Sequence, residues 1–133
     1  MILVDTSAWI GHLRGTDSVV VAALGSLIET GADLVTTEPI VMELLAGADT
    51  PERLEALDTL AHGLPLLSVD VRIDFRQAAG IYRAVRRRGH TVRSLVDCLI
   101  ASVAMRHDVP VLYEGRDYAA IAACLPLREH RPR

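Results

Sequence analysis

The sequence contains no lysine, because all 14 of its Lys and Arg residues are arginine. This absence excludes the P-loop nucleotide-binding proteins, whose Gly-Lys pair contacts phosphate, and no GxxxxGK pattern is present. It also argues against a phospho-accepting receiver domain, a small α/β fold with clustered acids that relies on a lysine near its last strand.

Cysteines and long apolar runs are also scarce. Cys98 and Cys124 lie in separate helix-like segments without CxxC spacing, so we expect buried thiols rather than a disulfide framework or a zinc site. No apolar run approaches the roughly 20 residues that span a bilayer, and no basic leader precedes the first apolar stretch. We therefore expect a soluble, cytoplasmic protein.

Length and charge limit the remaining classes. A chain of 133 residues, 50% of them hydrophobic, is long enough for one core and predicts one domain over residues 1–133. The net charge of -3 argues against a surface that coats nucleic acid as a whole. The segment from Arg72 to Arg93 nevertheless holds seven arginines against one acid, Asp74.

Short apolar stretches alternate with helical patterns along the chain. We predict strands over residues 2–4, 34–36, 66–68 and 109–112. We predict helices over residues 7–13, 18–30, 39–46, 51–62, 71–88, 94–107 and 118–123, and the clearest pattern is the recurrence of Val71, Phe75, Ala78, Tyr82 and Val85. This alternation indicates a parallel β-sheet flanked by helices in an α/β/α sandwich.

Two acids stand where apolar residues are expected. Asp5 follows the strand "ILV", at the carboxyl end of the sheet where ligands bind in such folds. Alternatively, it supports the turn into a helix capped by Thr6 or Ser7. Glu43, in "EPIVMELLAG", has apolar neighbours on both sides, although it can also lie on an exposed stripe of its helix.

Two further acids follow later in the chain. Asp97 lies in the apolar helix "RSLVDCLIASVAM", where it also fits a capping box with Ser94. Asp117 follows the last strand, where it also fits the N-cap of a short helix. Nearby Glu114 precedes a glycine and is expected to face solvent.

Convergence of Asp5, Glu43, Asp97 and Asp117 would require a compensating charge. Two like charges about 4 Å apart repel by roughly 4 kcal/mol at an effective dielectric near 20. Oxygen ligands without His or Cys spacing select magnesium or manganese over zinc. The five histidines are scattered along the chain, and we expect them at the surface.

The order of "ILVDTS", "EPIVMELLAG", "TVRSLVDCLIASVA" and "RDYAAI" resembles the PIN-domain ribonucleases, and "TVRSLVD" resembles the VapC toxins of bacterial toxin–antitoxin pairs. The resemblance covers nearly the whole chain. It implies an endoribonuclease that cleaves RNA and so inhibits translation and growth, with Mg²⁺ or Mn²⁺ held by the four acids and supported by Thr6 or Ser7. It further implies a VapB-type antitoxin and a homodimer.

One position departs from the family's pattern. The family often has Asp-x-Asp-Phe near the last strand, where this chain reads Gly115-Arg116-Asp117-Tyr118. One acidic ligand is therefore missing unless Glu114 or water replaces it. This departure leaves open a second interpretation, a catalytically weakened PIN-fold module that binds RNA or a partner protein.

The arginine-rich segment has two interpretations as well. Arg83, Arg87 and Arg93 are candidates for contacts with RNA phosphates, and Arg93 is favoured because it precedes the Asp97 helix. The alternative is a solvated helix face whose arginine stems cover apolar surface. With five aromatic residues in the chain, we expect recognition to depend on RNA shape more than on base stacking.

Overall fold

The computed structural model describes residues 1–132, so the last residue of the predicted domain, 133, lies outside the described part. Three strands alternate with seven helices along residues 1–132. The strands are β1 (Ile2–Val4), β2 (Leu34–Val35) and β3 (Val111–Leu112), and the helices are α1 (Thr6–Arg14), α2 (Val19–Glu29), α3 (Glu38–Ala46), α4 (Pro51–His62), α5 (Asp74–Arg87), α6 (Leu95–His107) and α7 (Asp117–Cys124).

The three strands form a parallel sheet in the order β2-β1-β3. Leu3 of the central strand is in register with Val35 on one side and Val111 on the other. Successive side chains of a strand point to opposite faces, and Leu3 and Val4 are both fully buried, so helices cover both faces of the sheet. The predicted α/β fold class is confirmed.

The predicted strand over residues 66–68 is wrong. Leu66 forms an isolated parallel bridge with Thr36, and the Leu67 amide donates to the Thr36 carbonyl at 2.8 Å. The ladder stops there because Pro65 has no amide proton and the Ser68 carbonyl accepts instead from Arg106 Nη2 at 2.9 Å. The predicted strand over residues 109–112 is shorter in the structure, at Val111–Leu112.

The predicted start of the arginine-rich helix is also wrong, because α5 begins at Asp74 and not at Val71. The Asp70 carboxylate accepts from the Arg72 amide at 2.9 Å, and this local bond holds a turn instead of a helical start. The buried face of α5 consists of Asp74, Ala78, Ile81 and Val85. Of the apolar residues whose recurrence predicted this helix, Val71 and Phe75 are exposed.

One charged network crosses the interface between α5 and α6. The Asp74 carboxylate is fully buried and lies 2.8 Å from Arg106 Nη2. Ser102 Oγ donates to the same carboxylate at 2.8 Å and lies 2.9 Å from Gln77 Oε1. These contacts join the start of α5 to the last turns of α6 through polar groups.

Two expectations from the sequence concern the pairing of the cysteines and the presence of membrane-spanning helices. Cys98 and Cys124 are both free thiols. Within residues 1–132, no helix has the length and apolar character needed to cross a membrane.

Candidate active site

Asp5 lies at the carboxyl end of the central strand, where the chain passes from β1 into α1. Its backbone amide donates to the Leu112 carbonyl at 2.9 Å, and the residue is 5% exposed. One carboxylate oxygen, Oδ2, accepts from the Ser7 amide at 3.0 Å and from Ser7 Oγ at 2.6 Å. Asp5 is therefore itself the N-cap of α1, a role that the sequence analysis gave to Thr6 or Ser7.

Glu43 reaches the same region from α3. Thr6 Oγ1 donates to Glu43 Oε1 at 2.9 Å, a contact that joins the first residue of α1 to the middle of α3. Burial raises the pKa of Glu43, the hydrogen bond from Thr6 partly offsets this effect, and the negative charge of Asp5 adds to it. Glu43 is half-buried, so the predicted alternative of a fully solvated stripe is wrong.

Asp97 enters from the first turn of α6. Ser94 caps this helix by accepting from the Val96 amide at 3.2 Å, while Asp97 Oδ1 lies 3.4 Å from the Tyr118 hydroxyl. No bond from the Asp97 carboxylate to the Ser94 amide is present among the described residues, so the reciprocal half of a capping box is not made.

The surroundings of Asp97 raise its pKa to about 7. The largest cause is burial, followed by the negative charge of Asp5, a hydrogen bond with Asp117, and the charges of Asp117 and Glu43. Asp97 therefore lies in the electrostatic field of the three other predicted acids. The acids come from β1, α3, α6 and α7, and the fold brings them to one end of the sheet.

Asp117 is the first residue of α7 and not its N-cap, a position that Arg116 occupies without a side-chain cap bond. The Asp117 side chain is 16% exposed, and Arg93 Nε lies 3.6 Å from its Oδ1. A carboxylate in the first turn of a helix is favoured by the partial positive charge of that end. Of the three arginines predicted to contact RNA, Arg93 is the one that the structure brings to the acids.

Arg83 and Arg87 lie farther along the exposed surface of α5. Within residues 1–132, no hydrogen bond or ion pair joins either guanidinium to the acidic end of the sheet. The proposed contact of these two arginines with RNA therefore remains a prediction.

The donor set suits a hard divalent cation, because it consists of carboxylate and hydroxyl oxygens. The mutual effect of the acids on Asp97 is the repulsion that a cation would relieve. In the side-chain positions described for residues 1–132, however, no group of three or more His, Cys, Asp or Glu residues is arranged to hold a metal ion. The Tyr118 hydroxyl lies between the Asp5 and Asp97 carboxylates, and the Thr6 hydroxyl bonds to Glu43.

The residues around Gly115 do not replace the missing acid of the family's pattern. Gly115 has φ 101°, a backbone conformation that disfavours side chains, although an added Cβ would meet no atom within 4 Å. The Glu114 carboxylate accepts a hydrogen bond from Ser18 Oγ at the N-cap of α2, and the Glu114 amide donates to Ser7 Oγ at 3.0 Å. The expectation that Glu114 faces solvent is therefore wrong.

The sequence analysis missed Tyr118. Its side chain is 2% exposed, and its hydroxyl donates to Asp5 Oδ1 at 2.8 Å. Burial and the charges of Asp5 and Asp97 raise the pKa of this phenol well above its ordinary value, so it remains a neutral donor. The sequence feature that could have indicated Tyr118 is its position directly after Asp117, where the family pattern has phenylalanine.

Comparisons with known proteins agree with this architecture. The family model described as "PIN domain" matches residues 2–123. Two mycobacterial proteins, "VapC ribonuclease Mb1587" of Mycobacterium bovis and "Ribonuclease VapC11" of Mycobacterium tuberculosis, are each 48% identical over 123 residues. The matched region covers 92% of this chain and 92% of each relative.

Solved structures of similar fold include toxin–antitoxin complexes. The structure described as FitAB bound to an IR36 DNA fragment has a TM-score of 0.74 and 25% identity, covering 99% of this chain and 95% of that chain. VapBC2 from Rickettsia felis bound to a promoter DNA fragment has a TM-score of 0.73 at 15% identity, with 98% of each chain covered, and this likeness concerns the fold alone. With a family model that matches residues 2–123 and VapC relatives at 48% identity, the chain belongs to the PIN domain family and to its VapC members.

Proposed function

We propose that the protein is a metal-dependent endoribonuclease that acts as the toxin of a type II toxin–antitoxin pair, cleaving RNA and so inhibiting translation and growth. Sequence identity of 48% to proteins named VapC ribonucleases supports the reaction class. The observation that carries the site is the environment of Asp97, whose pKa responds to Asp5, Asp117 and Glu43 together. The match over residues 2–123 supports one nuclease domain.

Asp5, Asp97, Asp117 and Glu43 would hold the ion, Mg²⁺ or Mn²⁺. A divalent ion at such a site supplies Lewis acidity and charge neutralisation at the scissile phosphodiester. The protein's part is to orient the ligands: Ser7 fixes one oxygen of Asp5, and Thr6 fixes one oxygen of Glu43. Without the ion, burial and the neighbouring acids raise the pKa of Asp97 to about 7, and a bound cation would favour its charged form.

Arginines would hold the RNA backbone beside these acids. Arg93 lies next to Asp117 and is 75% exposed, so its guanidinium can turn from the carboxylate to a phosphate at little cost. Arg83 and Arg87 extend the positive surface along α5. The assignment of these three arginines remains a prediction.

A VapB-type antitoxin is the proposed protein partner. The support is that solved structures similar to this chain include FitAB and VapBC complexes, in which a toxin is bound to its antitoxin. The homodimer and the cytoplasmic location remain predictions.

The test is RNA cleavage by the purified protein with Mg²⁺ or Mn²⁺ and with a chelator, followed by mapping of the cleaved ends. Asp97→Asn should lose at least about 100-fold of the metal-dependent rate, since it removes a charged ligand without changing side-chain size. Asp49→Asn is the matched control, because Asp49 is an exposed acid paired with Arg53 on the surface. Cleavage that survives the chelator, or an Asp97→Asn variant as active as the control, would contradict the proposal.

A second candidate function is a binding module that has lost most of its catalytic power. Gly115 at a commonly acidic position favours it, because Glu114 is engaged by Ser18 and does not supply the missing ligand. RNA binding without cleavage at any metal concentration would select this alternative. A melting temperature that rises with millimolar Mg²⁺ or Mn²⁺ would support the metal site in both cases.

A further inference from the structure

The Tyr118 hydroxyl lies between two carboxylates of the proposed site. It is 2.8 Å from Asp5 Oδ1 and 3.4 Å from Asp97 Oδ1. A phenol has one proton to donate, so the Tyr118 hydroxyl donates to Asp5 Oδ1 at the shorter distance. Asp97 Oδ1 is the second acceptor within reach of the same hydroxyl. Tyr118 is thus a polar residue at the point where β1, α6 and α7 meet.

The Asp5 carboxylate is held from both sides. Ser7 donates its amide and its hydroxyl to Oδ2, and Tyr118 donates its hydroxyl to Oδ1. Each carboxylate oxygen accepts two hydrogen bonds or ligands, so the three donors fill Oδ2 and leave one lone pair free on Oδ1. The orientation of Asp5 is therefore fixed while its capacity to bind an ion is kept.

The Tyr118 ring is itself immobilised. The residue is 2% exposed, and its ring lies 5.2 Å from the ring of Tyr113, with the two planes inclined by 46°. A buried aromatic ring on a helix places its hydroxyl with little freedom. The buried ring therefore holds the hydroxyl in place beside the Asp5 and Asp97 carboxylates.

We propose that Tyr118 is a positioning residue, whose hydroxyl fixes Asp5 and aligns Asp97 for binding a divalent cation. This inference rests on the proposed function and adds to it a residue outside the acidic set. Groups that orient metal ligands change metal affinity or activity by about 10- to 100-fold when removed. The family often has phenylalanine at this position, which carries no hydroxyl.

The test is Mn²⁺ titration by calorimetry of the wild type, Tyr118→Phe and Tyr113→Phe. Tyr118→Phe should raise the Mn²⁺ dissociation constant about tenfold, since the ring remains and only the orienting hydroxyl is lost. Tyr113→Phe is the matched control, because the Tyr113 hydroxyl bonds to Glu129, away from the four acids. RNA cleavage by Tyr118→Phe should return toward the wild-type rate as Mn²⁺ is raised.

An unchanged or lower Mn²⁺ dissociation constant for Tyr118→Phe would overturn the positioning role. A lower value would mean that the hydroxyl competes with the ion for the carboxylates. If the wild type binds no Mn²⁺ at all, the metal-dependent function fails and the role of Tyr118 fails with it. If the wild type binds and both variants match it, the role of Tyr118 alone is wrong.

A second measurement needs no variant and therefore does not depend on variant folding. In the wild type, the ¹³Cζ resonance of Tyr118 should shift on addition of diamagnetic Mg²⁺, while that of Tyr113 should stay in place. The hydroxyl of Tyr118 touches the proposed ligands, and that of Tyr113 does not. If the protein binds Mg²⁺ and the Tyr118 resonance does not shift, the inference is overturned.

Discussion

Asp74 and Asp97 are two aspartates on neighbouring helices with opposite surroundings. Asp74 is fully buried and accepts from Arg106 Nη2 at 2.8 Å, Arg106 Nε at 3.2 Å and Ser102 Oγ at 2.8 Å. Burial alone would raise the pKa of Asp74, but the bonds from Arg106, the Asp70 amide and Ser102 outweigh it and lower the pKa. Asp97 faces other acids, and its pKa rises to about 7.

Asp74 is an acid that holds two helices together, whereas Asp97 is an acid of the proposed site. Asp74 is fully buried and Asp97 is half-buried, and burial by itself would raise the pKa of both. The difference lies in the charge of their neighbours: a guanidinium neutralises Asp74, whereas Asp97 is surrounded by carboxylates.

The largest effect is expected from Asp74→Asn, which would leave the Arg106 charge without its partner. The free energy of unfolding should fall by about 3 kcal/mol at pH 7, as is typical when one member of a buried ion pair is removed. Because the folded-state pKa of Asp74 is lowered, the wild type holds this stability above pH 4 and loses it as the pH falls below the folded-state pKa.

Urea unfolding at pH 7 and pH 3 measures this loss. The gap in unfolding free energy between the variant and the wild type should be smaller at the lower pH. A gap that is equally large at pH 3 would mean that packing, rather than the charge of Asp74, accounts for the difference.

Asp97→Asn should have the opposite and smaller effect in the absence of metal. The folded-state pKa of Asp97 is raised, so its favourable contribution is present below the unfolded value near 4 and is lost as the pH rises through about 7. At pH 8 the variant should be more stable than the wild type by about 1 to 2 kcal/mol, less than the full linkage because solvent screens a half-buried group.

Thermal or urea unfolding at pH 4 and pH 8, in chelator, compares the two proteins. Stabilisation by Asp97→Asn at pH 8 that fades at pH 4 is the expected result. A destabilised variant at both values would place Asp97 with Asp74 as a structural acid.

The fold could be predicted from sequence where the determinants were local. The α4 boundaries, Pro51–His62, were predicted correctly, because Thr50 caps the helix, Pro51 begins it and Gly63 follows it. The four acids could be selected because charged residues in apolar surroundings are visible in the sequence, although their roles remain predictions.

Long-range partners could not be predicted. Asp74 meets Arg106 across 32 positions, and nothing in the residues next to Asp74 indicates a buried acid at the start of α5. The Tyr118 hydroxyl meets Asp5 across 113 positions, so its role depends on how α7 packs against the sheet. The start of α5 was missed for a different reason, because it is set by a local side-chain turn at Asp70 that helical periodicity does not report.

Gly115→Asp tests whether the acidic end of the sheet can be made more like its relatives. Because Gly115 has φ 101°, any side chain there should cost about 1 kcal/mol, and Gly115→Ala measures that cost alone. Relative to the alanine variant, the aspartate variant should bind Mg²⁺ more tightly, because a carboxylate adds charge to the site. Identical metal titrations of the two variants would show that position 115 does not face the ion.

The smallest effect concerns the surface charges around the site. Charge reversal at Arg93 should slow RNA cleavage by about fivefold, since Arg93 lies 3.6 Å from Asp117, whereas reversal at exposed Arg72 should change it by less than about twofold. Initial cleavage rates at low salt compare the two variants. Equal rates would mean that the arginine segment acts as a diffuse field and not through Arg93.

The convergence of the acids is tested most directly by titrating the Asp97 carboxyl carbon by ¹³C NMR, with and without Mg²⁺. Without metal, we expect a pKa of about 7, which should fall by more than one unit in saturating Mg²⁺ because the cation replaces the repulsion of Asp5, Asp117 and Glu43. The same carbon in Asp5→Asn should titrate at lower pH. If Asp97 titrates near pH 4 and its pKa does not change with Mg²⁺, the shared acidic site is contradicted.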